Sequence, residues 1–192
     1  MKSLIIGITG ASGSIYAKNF IINSLKYGID LHIVASPMGE AVFAHEMEQS
    51  LDDFLQNLSG NFKKYQNNDM FAPIASGSFK TDGMVVIPCS MKTLACISSG
   101  LSDSLLQRAA DVSLKERRKL ILVLRESPLS IIHIRNMLAV SESGAIVLPA
   151  SPGFYHKPQT IESLADFISG KIFDLLGIEH ALSTSWKGID KY

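Results

Sequence analysis

The chain has 192 residues, with 18 Lys+Arg against 18 Asp+Glu and a formal net charge of zero. A length of this order suits one domain with a core of its own, and 46% hydrophobic against 19% charged residues excludes a disordered chain. Balanced charge excludes a general nucleic-acid binder, which carries a basic excess, and leaves little repulsion between copies, so self-association is expected. The longest apolar runs, such as Leu120–Leu124, fall far short of the ~20 residues of a membrane helix. The N-terminal run Leu4-Ile5-Ile6 is broken at once by glycine and is no signal peptide, so no membrane association and a cytoplasmic location are expected.

Taken in chain order, five short apolar, β-branched runs predict strands: Leu4–Ile8, Leu31–Ala35, Met84–Pro88, Leu120–Leu124 and Ala145–Pro149. They are continuous rather than alternating, as in strands buried on both faces of a parallel sheet. Helical patterns fill the intervals at Ser14–Tyr27, Ser104–Glu116, Ile131–Val140 and Ile161–Leu176. The alternation predicts an α/β fold, a doubly wound and mainly parallel sheet in three layers, Rossmann-like or flavodoxin-like. Ligands of such sheets bind beyond the carboxyl ends of the strands, which directs attention to the residues that follow each run.

The first strand passes into Gly7-Ile8-Thr9-Gly10-Ala11-Ser12-Gly13, either a tight turn or a backbone cradle for a phosphate at a helix N-terminus. A dinucleotide site is opposed by Tyr16, where a third glycine is needed for close helix–strand packing. It is opposed also by the end of the second strand, Ala35-Ser36-Pro37, which offers no carboxylate for a ribose; Asp30 is at the wrong end. A mononucleotide or flavin fits better. Pro88-Cys89-Ser90-Met91-Lys92-Thr93 follows the third run; Ser90 is an N-cap, part of a second anion cradle, or both. Arg125-Glu126 ends the fourth, as a plain ion pair or as a phosphate fork beside a proton-transferring carboxylate. After the fifth comes Ser151–Pro158, a rigid aromatic loop in which Tyr155 packs or walls a pocket.

All five arginines lie between Arg108 and Arg135. Arg108 and Lys115 are two helical turns apart and share a face, with Asp111 spaced to pair with either. Cys89 and Cys96 have neither zinc nor redox spacing. Asp52-Asp53-Phe54-Leu55-Gln56 begins like an aspartate-rich magnesium motif but ends in Gln56, and reads as an exposed acidic helix. His45 and His133 have no spacing that names a metal.

Together these segments resemble the UbiX-type flavin prenyltransferases, formerly described as flavin-binding aromatic-acid carboxy-lyases. The resemblance spans nearly the whole chain. It is carried by Gly7–Gly13 with Tyr16, Ala75–Phe79, Pro88–Leu94, Arg108–Val112 continuing through Leu114–Arg118, Arg125–Leu129 and Pro152–Pro158. It implies that Gly10, Ala11, Ser12, Ser36, Ser90, Met91, Lys92, Thr93 and Arg125 contact FMN. It further implies that Arg108, Lys115, Arg125, Tyr155 and Lys171 hold the phosphate of dimethylallyl monophosphate, with Trp186 helping to close the pocket. Glu126 is implied as the proton-handling residue, with Ser12 and Glu46 serving flavin N5.

The implied reaction joins the prenyl group to N5 and C6 of reduced FMN without a metal, in a homododecamer with pockets at subunit junctions. The product passes to a UbiD-type decarboxylase. A single FMN-binding domain over 1–192 is expected, its last residues, about 178–192, packing on a neighbouring subunit. Ser104, Leu124 and Lys171 depart from the family pattern where Asn or Gly, Pro, and Arg are common; at the last, bidentate phosphate binding is lost. Two alternatives share the fold: an FMN-dependent decarboxylase of the cysteine-decarboxylase type, although Pro149–Pro158 lacks an Asn, and a non-catalytic flavin carrier.

Overall fold

The computed structural model describes residues 2–182. Six strands form one parallel sheet in the order β3-β2-β1-β4-β5-β6: β1 Ser3–Ile8, β2 Asp30–Ala35, β3 Phe62–Tyr65, β4 Gly83–Cys89, β5 Lys119–Leu124 and β6 Ile146–Pro149. The helices are α1 Ser14–Lys26, α2 Pro37–Met47, α3 Leu51–Gln56, α4 Met91–Ser98, α5 Leu105–Lys115, α6 Ile131–Glu142 and α7 Ile161–Leu176. The doubly wound reading holds, and the strand order is that of the Rossmann sheet rather than the flavodoxin one.

Strand β3 is an addition to the five expected. Its sequence, Phe-Lys-Lys-Tyr, has no apolar run because it is an edge strand paired only with β2, and edges favour lysine. Side chains alternate across the central strands. Leu4, Ile6 and Ile8 join Phe20, Phe43, Ile168 and Phe173 in a core beneath α1, α2 and α7. Ile5, Val86 and Leu122 join Leu94, Leu106, Ala109 and Val140 beneath α4, α5 and α6.

Between β1 and β4 the connections part to opposite sides, which leaves a crevice at the carboxyl ends of those strands. Thr9, almost fully buried, closes its floor. Its Oγ1 donates to the Pro88 carbonyl at 2.7 Å and accepts the Ser90 N–H at 2.8 Å, so the loops after β1 and β4 are held as one unit. Among the described residues no helix is long and apolar enough to cross a membrane, and no three His, Cys, Asp or Glu side chains gather as metal ligands would.

Candidate functional site

Three helix N-termini meet at the crevice. Ser36 caps α2, its Oγ accepting the Gly39 N–H at 3.0 Å, and Ser90 caps α4, accepting the Thr93 N–H at 3.4 Å. Helix α1 has no such cap: Gly13, with φ of 110°, precedes it without a side-chain acceptor. The acceptor arrives from α2. Glu46 takes the Gly13 N–H at 2.9 Å and the Ser14 N–H at 2.7 Å on one carboxylate oxygen. Burial pushes the Glu46 carboxyl up, but hydrogen bonds from Ser12 and from the Ser14 and Gly13 backbone outweigh it and hold the group below its ordinary range.

The site where a dinucleotide fold places its pyrophosphate is thus filled by the chain's own anion. A phosphate entering this crevice meets α2 and α4 instead. There the cleft measures about 400 Å³ and is lined by Gly10, Ser36, Met38, Ser90, Lys92 and Thr93. The backbone is pressed close: a Cβ on Gly39 would stand 2.5 Å from the Ile8 carbonyl oxygen, and one on Gly10 would overlap the Met38 side chain. The Met91 side chain is buried in the core, so only its backbone faces a ligand. Asn67, Ser104 and Gln107 also line the cleft. Asn67 and Gln107 escape sequence reading because they come from a long loop and a helix first turn with no motif, whereas Ser104, the N-cap of α5, stands out in the sequence as a departure from the family pattern. These donors, with glycines where a flat ligand passes close to backbone, suit FMN.

Arg125 joins this group by donating from Nε to the Ser12 carbonyl at 2.9 Å. Glu126 is exposed beside it and accepts the Ser127 N–H at 3.1 Å. Among the described residues the two form no ion pair with each other, which leaves each available for a ligand at the sheet's carboxyl edge.

The residues implied for the substrate phosphate are divided. Helix α5 runs back from the crevice, so Arg108 lies in its first turn and Lys115 at its far end, next to the start of β5. Arg108 pairs with Asp111 at 2.6 Å, while Lys115 pairs with Glu116 instead of Asp111. Lys171 is on α7, on the opposite face of the sheet, 3.6 Å from Asp174 and 5.8 Å from the centre of the Phe167 ring. Tyr155 meets the same ring edge-on at 5.9 Å. One chain therefore brings together Tyr155 and Lys171 at Phe167 and carries Arg108 and Lys115 on α5, on the other face of the sheet, but does not gather the whole set. Trp186 lies outside the described residues, as does most of the 178–192 segment.

Three of the residues set aside, His133, Asp52 and Asp53, have structural partners. His133 completes a capping box with Ser130 at the start of α6. Asp52 pairs with Lys64 at 2.8 Å, and Asp53 accepts the Ser50 hydroxyl at 2.6 Å. Burial pushes the Cys89 thiol far up, as expected of an inert core cysteine.

The model of the Flavoprotein family matches residues 1–173. A flavin prenyltransferase UbiX from Alkalihalophilus pseudofirmus is 44% identical over 192 residues, covering 96% of each chain. A crystal structure of a UbiX protein in complex with FMN and dimethylallyl pyrophosphate superposes with a TM-score of 0.93 at 41% identity, over 98% of this chain and 99% of that one. A dodecameric FMN-dependent UbiX-like decarboxylase from Escherichia coli O157:H7 gives a TM-score of 0.89 at 41% identity, over 97% and 100% of the two chains. The peptidyl-cysteine decarboxylase EpiD, at 20% identity and a TM-score of 0.57, shares the fold alone.

Proposed function

The chain belongs to the UbiX family of flavin prenyltransferases, and on that premise we propose that it transfers the dimethylallyl group of dimethylallyl monophosphate to N5 and C6 of reduced FMN. The observation that carries this reading is the division of the helix N-termini. Glu46 fills that of α1, while those of α2 and α4 open on a cleft with two serine hydroxyls, a lysine and closely approaching backbone. Gly10, Ala11, Ser12, Ser36, Ser90, Met91, Lys92, Thr93 and Arg125 hold FMN in this reading.

Breaking the allylic C–O bond leaves positive charge on carbon and negative charge on phosphate. When bound, the reduced flavin supplies the nucleophilic nitrogen and carbon. The chain supplies fixed cations for the departing phosphate, Arg108, Lys115, Arg125 and Lys171, with the Tyr155 hydroxyl. Preorganised donors of this kind act most strongly where water is excluded. Glu126, exposed at the carboxyl edge, takes up a proton at the transferring centre, and Ser12 with Glu46 does so at flavin N5. A carboxyl held ionised, as Glu46 is, accepts a proton through the serine hydroxyl rather than donating one.

Self-association completes the site. The outward face of α6 exposes Ile131, Ile132, Ile134 and Leu138, and Phe154 projects nearby in sequence from the loop after β6. An apolar surface of this kind on a chain without net charge favours packing against other copies. A dodecamer, a hand-over of product to a UbiD-type decarboxylase and a cytoplasmic location complete the proposal.

Anaerobic incubation of the FMN-loaded protein with reduced flavin and dimethylallyl monophosphate is expected to give an adduct heavier by one C5H8 unit by mass spectrometry. The diphosphate is run in parallel to rank the donors. Persistent absence of that mass with both donors, in folded and flavin-loaded protein, overturns the reading.

A further inference from the structure

Two independent anchors hold the Arg108 guanidinium. Its Nη1 donates to Asp111 Oδ2 at 2.6 Å, one turn along α5. Its Nε donates to the Ala75 carbonyl at 3.2 Å, from the loop that precedes β4. That carbonyl is itself secured, because Arg118 grips the same loop through the Gly77 and Phe79 carbonyls at 2.5 and 2.7 Å. A guanidinium is planar and carries its N–H donors in fixed directions, so bonds at Nε and Nη1 set the plane and with it the direction of Nη2. Among the described residues Nη2 has no hydrogen-bond partner.

Among the described residues Asp111 pairs with Arg108 alone, since Lys115 on the following turn turns to Glu116. A carboxylate next to a phosphate site repels the ligand; its presence there is explained if it orients the cation that binds. We propose that Asp111 is a positioning residue for prenyl transfer, which with the Ala75 carbonyl holds Arg108 so that Nη2 is presented to the phosphate of the prenyl donor. This rests on the reading of Arg108 as a phosphate ligand.

Asp111→Ala and Asp111→Asn are tested with reduced FMN and varied dimethylallyl monophosphate. The expected result is a KM for the donor raised about tenfold and inhibition by inorganic phosphate weakened to the same extent, with FMN affinity unchanged. Asp111→Glu recovers part of the loss. In an Arg108→Ala background, Asp111→Ala adds nothing further to KM. A merely structural ion pair would shift the thermal midpoint and leave KM and phosphate inhibition in place. If Arg108→Ala raises KM but neither Asp111 variant does, or if the effects simply add, the positioning role is overturned. If Arg108→Ala itself leaves KM unchanged, it is the phosphate reading of Arg108 that fails. Asp111→Asn, which keeps the side-chain shape, answers the question should the alanine variant not fold.

Discussion

Glu46 belongs to no motif of its own, yet its carboxylate closes the N-terminus of α1 from 33 positions away in sequence. Because its folded value is depressed, its contribution to stability is present above the ordinary carboxylate value and is lost as the pH falls through the folded value. Glu46→Gln is therefore expected to lower the thermal midpoint near neutrality and to flatten its decline below about pH 4.5. Melting curves across pH 3–7 read this directly, and an unaltered acid slope would remove Glu46 from that role. The glycine loop itself was visible in the sequence, and so was the reason to doubt a dinucleotide: Tyr16 packs against Gly13, where a Cβ would stand 2.9 Å from its ring. The identity of the anion at α1 was not visible, since the contact depends on how α2 folds back over β1.

The strands were legible wherever an apolar run survives, the half-buried edge strand β6 included. Strands β1, β2, β4 and β5 lie at the centre, where both faces demand apolar side chains, and their runs mark them. Strand β3 lies at the edge and carries two lysines, so its signal is lost. Helices α2 and α4 begin at Ser36 and Ser90, and the latter serine announced its cap. Helix α2 shows how closely elements must approach to form the cleft: Gly39 lies against the backbone at the end of β1, with a Cβ there only 2.9 Å from the Ile8 carbonyl carbon. Neither partner is a flexible side chain that can yield. Gly39→Ala should cost about 1–3 kcal/mol of stability through overpacking and should weaken FMN binding by displacing Ser36, as measured by flavin fluorescence titration. Retained affinity would mean that Ser36 does not take part in holding the flavin.

Across the whole molecule, the sheet separates the phosphate residues, with Arg108 and Lys115 on α5 above one face and Lys171 on α7 above the other. No spacing in the sequence reports this, because which helix covers which face follows from the crossover pattern. If neighbouring copies bring these groups together, Lys115→Ala and Lys171→Ala proteins, each nearly inactive, regain activity when co-expressed. About a quarter of the sites in randomly mixed closed oligomers then take an intact lysine from each side. Absence of recovery in verified mixed oligomers would place both lysines in the same copy's site or in none.

If the site is shared in this way, a chain that has lost Lys115 withholds a cation from a neighbour whose sequence is intact. Damage in such an assembly is exported rather than confined. In an equal mixture with normal chains about half of the sites would lack that lysine, among them sites on chains that carry no substitution.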